Sequence, residues 1–267
     1  MKHPYLLLTL SVLFWAGNWV AGRVLADLFP PAALTFWRWA IALALLAPFV
    51  APRLWAARTL LVQKWKPIVL IGLLGGGLHN VLQYWGMQLT SATNGSILNS
   101  LTPVFIILLG AAVLRERFPR AAAAGAAVAL AGALAIVTRL DWQAIAALRW
   151  RPQGLDALSF LACFAIVAEV PVGVLYLFEK ESIVWNATSV LGLAYVAVFP
   201  ALLAYYFWSL GVAAVGAARA GVFLYLTPVF GSLMGALLLG EEFGLHHALG
   251  MALIVAGVTI ASRKWAG

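Results

Sequence analysis

The chain has 267 residues, of which 64% are hydrophobic and 10% charged, with a formal net charge of +8. Soluble domains carry about 25% charged residues, so this composition excludes a water-soluble fold and makes lipid the solvent. The basic residues gather at span ends, as the positive-inside rule demands. No basic run with interleaved aromatics marks a nucleic-acid groove, and no nucleic-acid partner is expected.

A membrane-crossing helix needs about 20 apolar residues. In chain order the pattern predicts about nine such spans, at residues 5–24, 32–50, 68–89, 97–114, 121–137, 157–177, 188–210, 222–239 and 248–261. The first follows Lys2 and His3, as a signal peptide would. Its length, its Trp15, Asn18 and Trp19, and the want of a small-x-small cleavage site read instead as a retained span. Lys2 precedes this span, Arg53, Arg58, Lys64 and Lys66 crowd the second loop, and Arg115, Arg117 and Arg120 the fourth. The loop at 90–95 carries no charge. These facts predict a cytoplasmic N-terminus. The single cysteine, Cys163, lies mid-span and allows no internal disulfide.

The pentapeptide LTPVF occurs at 101–105 and again at 226–230. Sliding the chain by that register also superposes Gly110 on Gly235, Glu116 on Glu241, Phe118 on Phe243, Gly125 on Gly250 and Gly132 on Gly257. A repeat this long in an apolar chain points to a duplicated membrane half. RERFPR after the first copy becomes GEEFGL after the second. Arginine is disfavoured outside, so the exchange predicts an inverted repeat. Spans two to five each find a partner, through matches such as Leu34-Thr35-Phe36 with Leu158-Ser159-Phe160 and Gly86 with Gly211. Span one finds none. Its partner would fall in 139–156, where the apolar stretch from Trp142 to Leu148 makes about 10 Å of helix against a core of about 30 Å. The expected organisation is a five-helix half at 1–138, a connecting segment at 139–156 where a helix has been lost, and a four-helix half at 157–267.

These residues together resemble the drug/metabolite transporter superfamily, and within it the EamA-type members. The resemblance is carried by FWAGNWVAGRV at 14–24, PAALTFWRW at 31–39, and both LTPVF blocks with their glutamates and Gly-rich helices. It implies an all-α polytopic protein of two inverted halves with ten helices, of which this chain lacks the sixth. It also implies a secondary transporter of the bacterial inner membrane that exports small metabolites such as amino acids, aromatic ones among them, by alternating access. The expected partners are a small-molecule substrate, membrane lipid and, as an open alternative, a second copy of the chain. No cofactor is expected, and no ATP-binding motif is present. A truncated, non-transporting member of the same family is the alternative.

Several residues can carry chemistry. Arg38, between Trp37 and Trp39, lies inside span two, where a charge must face a cavity or a partner, or else snorkel to the interface. His79, Asn80 and Gln83 cluster in span three, with His79 and Gln83 on one face, either lining a polar cavity or tying helices together. Glu169 is the only acid well inside a span, a proton-coupling candidate unless a shifted helix exposes it. Asn18 and Asn99 are polar candidates of the same kind. Trp15, Tyr84, Tyr205, Trp208 and Tyr225 supply rings that stack on a substrate or serve packing and interface belts. Pro103 and Pro228 are hinge or architectural positions, with Thr102 and Thr227 placed to satisfy freed carbonyls. Gly231 and Gly235 form a GxxxG packing motif. No spacing of His, Cys or acids makes a metal site. An intramembrane enzyme would need a positioned nucleophile and base, and nothing positions Ser100 against His79.

Overall fold

The computed structural model describes residues 3–99, 128, 157–241 and 244–263, and every element among them is helical. Their order is α1 (Pro4–Leu25), α2 (Pro31–Ala56), α3 (Arg58–Gln63), α4 (Trp65–Ile71), a π-helical segment (Gly72–Leu78), α5 (His79–Leu89), α6 (Ala92–Asn99), α7 (Ala157–Phe178), α8 (Ala187–Val196), a second π-helical segment (Ala197–Leu203), α9 (Ala204–Val215), α10 (Ala217–Phe223), α11 (Leu226–Leu239) and α12 (Leu245–Arg263). Five stretches among them are long and apolar enough to cross a membrane: Pro4–Leu25, Pro31–Ala56, Trp65–Leu89, Ala187–Val215 and Ala220–Leu239. Shorter apolar helices lie at Ala165–Phe178 and Ala248–Gly257. The first LTPVF copy with Pro103, the RERFPR loop and the segment at 139–156 lie outside the described residues.

The helices run past the predicted ends where the apolar signal stops but the backbone has no reason to. The second span was expected to end at 50, yet α2 continues through Pro52 and Arg53 to Ala56. A proline costs one ladder bond, and near the interface that carbonyl can be met by water.

Contacts divide the chain into two compact units. One comprises Ala21–Leu89 with Arg149–Tyr206. Its core is a seam of Trp39, Ala42, Leu46 and Val50 from α2 against Ala165 and Ala168 from α7 and Ala201 from the second π-helical segment. Small residues on α7 let the two backbones approach, which in lipid is the main source of helix association. Cys163 extends the packing onto Ile68 of α4. The start of α2 has no cap of its own, because Pro30 and Pro31 offer no side-chain acceptor. Glu179, just beyond α7, supplies one: the N–H groups of Ala32 and Ala33 donate to its two carboxylate oxygens at 2.7 and 2.8 Å. Burial pushes the Glu179 carboxyl up from its ordinary range, against the downward pull of those two N–H groups. By contrast, α8 caps itself. Asn186 accepts from the Ser189 N–H at 2.9 Å, and the Ser189 hydroxyl accepts from the Asn186 N–H at 2.8 Å, a reciprocal capping box.

The other unit comprises Met1–Val20, Thr90–Leu148 and Phe207–Gly267. Its described core packs Leu8 and Val12 of α1 on Trp208 of α9 and on Ala220, Phe223 and Leu224 at α10. Helix α6 also begins on a borrowed acid. The N–H groups of Ala92 and Thr93 donate to Glu241 at 2.9 and 3.0 Å, and the Thr93 hydroxyl donates to it as well. Gly240, left-handed at φ 67°, ends α11 and turns Glu241 toward that helix start. The approach of α6 to α11 needs both glycines of the second repeat. A Cβ on Gly231 would fall 2.5 Å from the Ser96 Cβ, and one on Gly235 2.7 Å from a Glu241 carboxylate oxygen.

Pro228 is the third residue of α11, in the first turn, where its missing N–H has no intrahelical partner to lose. It therefore marks where the chain re-enters helix after Leu224-Tyr225, which is an architectural role. Thr227 was expected to satisfy a freed carbonyl. Its Oγ1 is buried with no hydrogen-bond partner among the described residues, because a first-turn proline displaces no donor nearby.

Gly231→Ala should therefore cost about 1–3 kcal/mol through overpacking against Ser96. Gly86→Ala has nothing within 4 Å of the new Cβ and should be neutral or stabilising by up to about 1 kcal/mol in the α5 interior. Thermal unfolding of the two purified variants in one detergent checks the contrast.

Candidate functional site

The glycine run in span three forms the first π-helical segment, GLLGGGL from Gly72 to Leu78. A wide turn shifts backbone partners and leaves carbonyls that side chains must meet. Two side chains do so. The Asn80 Nδ2 donates to the Gly75 and Gly76 carbonyls at 3.1 and 2.8 Å, and the Trp39 Nε1 donates to Gly76 at 3.0 Å. The missing side chain at Gly77 brings α7 close: a Cβ there would meet the Val172 Cγ2 at 3.3 Å and the Ala168 carbonyl at 3.6 Å.

Arg38 sits beside this segment, 1% exposed. Its Nη1 donates to the Asn80 Oδ1 and to the Tyr84 hydroxyl, both at 2.8 Å. Its guanidinium carbon lies 5.1 Å from the Trp39 ring centre and 5.7 Å from that of Tyr84. The interface-snorkelling alternative is thereby excluded, since the side chain turns inward onto α5. Trp39 likewise belongs to the core and not to an interface belt. The balance of forces is informative. Burying a cation costs several kcal/mol. Hydrogen bonds from a charged donor return about 1.5–3 kcal/mol each and cation–π contacts about 0.5–2. No carboxylate is paired with this guanidinium among the described residues, and its buried Nε has no hydrogen-bond partner. The guanidinium is oriented by neutral groups, and no acid among the described residues neutralises its charge.

Sequence spacing groups His79, Asn80 and Gln83. The structure brings together Asn80 and Tyr84 instead, both buried and one turn apart on α5. His79 is exposed and Gln83 half-buried, because the face of α5 that meets α2 is set by where Asn80 reaches the π-helical carbonyls. In the same unit Tyr205 packs on Trp39, ring centres 5.6 Å apart. Glu169 of α7 has both carboxylate oxygens buried with no hydrogen-bond partner among the described residues. In the other unit, Trp15 packs on Trp208 at 5.2 Å, Asn18 and Tyr225 are buried, and Asn99 is half-buried. Sequence reasoning missed Trp39 as a donor to the π-helical segment and Glu179 and Glu241 as caps. For Glu241 a signal existed, its repetition at Glu116. No group of three or more His, Cys, Asp or Glu side chains among the described residues suits a metal ion.

A model of the EamA-like transporter family matches residues 3–138 and again 144–263, one LTPVF copy in each range. The chain belongs to the EamA-like transporter family. It is a multi-pass helical membrane protein, and its relatives are transporters. Among curated proteins, it is similar to a probable terminal-alkyne amino-acid exporter of Streptantibioticus cattleyicolor, 28% identical over 97% of this chain and 93% of that one. An uncharacterized transporter of Archaeoglobus fulgidus is 24% identical over 98% of both. A solved crystal structure shares the fold with a TM-score of 0.69 over 97% of each chain, at 21% identity. The alignment to the Streptantibioticus exporter runs over 283 positions, more than the 267 residues of this EamA-like chain, so part of that protein has no counterpart here.

Asn80 makes three hydrogen bonds and Tyr84 one in this Arg38 network. Asn80→Ala should therefore cost about 3 kcal/mol or more, and Tyr84→Phe about 1–2. The order of the two melting temperatures checks it.

Proposed function

We propose that this EamA-like protein is a secondary transporter that exports a small carboxylate-bearing metabolite, an amino acid, with aromatic amino acids among the candidates. Transport proceeds by alternating access, in a bacterial inner membrane, with the N-terminus in the cytoplasm. The observation that carries the reading is the Arg38 guanidinium: buried, held by Asn80 and Tyr84, unpaired with any acid among the described residues, and with Nε unsatisfied. A substrate carboxylate would complete its hydrogen bonds and its charge. Trp39 and Tyr84, already against the guanidinium, supply aromatic surface beside that point. The Streptantibioticus relative is described as a probable terminal-alkyne amino-acid exporter, which supports the same substrate class.

Efflux of radiolabelled amino acids from proteoliposomes tests this. Arg38→Ala should weaken transport by about tenfold or more, the value of one charge-assisted contact. Arg38→Lys should recover only part, because an ammonium lacks the planar fork. Wild-type flux equal to that of empty liposomes would remove the reading.

A second reading, a truncated family member that does not transport, draws support from the positions of the Streptantibioticus exporter that have no counterpart here. Reporters fused after Arg151 and at Gly267 separate the two. The transporter reading expects both on the cytoplasmic side, following Arg149, Arg151 and Arg263. A periplasmic C-terminus would favour the truncated form.

A further inference from the structure

We infer that Glu169 is a proton-binding site that couples substrate export to proton entry. This rests on the transport reading above and adds its energy source. Glu169 is the thirteenth residue of the 22-residue helix α7, about 18 Å of helix from one end and about 14 Å from the other. Both of its carboxylate oxygens are buried and neither has a hydrogen-bond partner among the described residues. An isolated ionised carboxylate at such depth costs far more than a neutral acid. The group must therefore take up a proton, or a cation, whenever it is enclosed. A metal cation needs several oxygen ligands around it. No hydrogen-bond donor meets this carboxylate among the described residues, and no metal-suited group of His, Cys, Asp or Glu includes it there. A proton needs one oxygen only.

The charged groups on the elements packed against α7 do not relieve the carboxylate. Helix α2 carries Arg38 and Arg53, α4 carries Lys66, the π-helical segment carries none, and His79 adjoins it. None of them is ion-paired with Glu169. The surroundings also give a physical route to the Arg38 site. Ala168 and Val172, flanking Glu169 on α7, lie against Gly77 of the π-helical segment. The preceding carbonyls, Gly75 and Gly76, are held by Asn80 and Trp39, and Asn80 holds Arg38. A π-helical turn can return to α-helix by shifting its ladder one residue. In this proposal it is the element through which Glu169 and Arg38 act on one another. In the outward-facing state a proton joins the carboxylate, forming one O–H bond. In the inward-facing state that bond breaks and the proton enters the cytoplasm, while one substrate molecule moves the other way.

The experiment uses the full chain in proteoliposomes with radiolabelled L-phenylalanine and L-alanine as probes. Each protein is its own control: flux under an inward gradient of one pH unit is divided by exchange at symmetric pH. One-for-one coupling drives accumulation toward a limit of about tenfold, so the wild-type ratio should stand well above one. In Glu169→Gln, a fixed mimic of the protonated acid, it should fall to about one, while Asp27→Asn, an exposed loop carboxylate, should leave it as in the wild type. A wild-type ratio of one, or a Glu169→Gln ratio equal to the wild type, overturns the coupling. No exchange in the wild type overturns the transport reading instead. Infrared difference spectra of the detergent-solubilised protein across a pH titration then decide proton binding without any substrate. A protonated-carboxyl carbonyl band that Glu169→Gln removes is expected, and its absence from the wild type overturns the site.

Discussion

Every backbone N–H at the start of a helix needs an acceptor, and where that start is packed away from water, as at Ala32, Ala33 and Ala92, the protein must supply one. Two helices of this chain meet that demand with a carboxylate from elsewhere in the sequence. Glu179 lies 147 residues from Ala32, and Glu241 lies 149 from Ala92. Each accepts two N–H groups at once and places a negative charge at the positive end of a helix dipole, which offsets much of the cost of burying it. Each is thus a tie between distant segments as well as a cap. Glu179 fixes the entry of α2 to the exit of α7, and these are the two helices that carry Arg38 and Glu169. The position of the candidate chemistry follows from a backbone requirement.

The same logic governs the interior of the first unit. Three glycines in succession let span three widen into a π-helical segment, and the widened turn needs donors. Asn80 and Trp39 provide them, and in doing so they fix α5 against α2. Once Asn80 has both Nδ2 hydrogens committed to Gly75 and Gly76, its Oδ1 is left facing Arg38. The guanidinium is held by the neutral Asn80 and Tyr84 side chains, so its charge is not neutralised by an acid among the described residues. A salt bridge to a protein acid would have given the opposite result, a stable pair with little affinity left for a ligand.

Much of this was legible in the sequence, because apolar length and charge placement are one-dimensional properties. The described spans, the oddity of Arg38 and the packing role of Gly231 and Gly235 all followed from composition, spacing or repetition. The partners of polar groups did not. Which face of α5 meets α2 depends on where the π-helical carbonyls point, so spacing alone groups His79, Asn80 and Gln83 and leaves Tyr84 among the aromatic candidates. Thr227 looked like a carbonyl partner until Pro228 proved to stand in a first turn. Glu179 gives no sign in the sequence of its capping role, since nothing in its neighbours reveals a helix start 147 residues away.

The two copies of the repeat divide architecture from chemistry. Residues that recur in the second half have structural work there: Pro228 opens α11, Gly235 makes room for the Glu241 carboxylate, and Glu241 caps α6. The residues that bear unusual charge do not recur. Arg38 stands opposite Ala162 in the repeat, Asn80 opposite Tyr205 and Tyr84 opposite Ser209. A duplicated sequence can repeat its architectural residues, whereas the proposed carboxylate site uses a single guanidinium. The asymmetry places the cation in one half only, and with it Asn80, Tyr84 and the glycine-rich turn they serve. Glu169, likewise unrepeated, lies on the helix that packs against that turn.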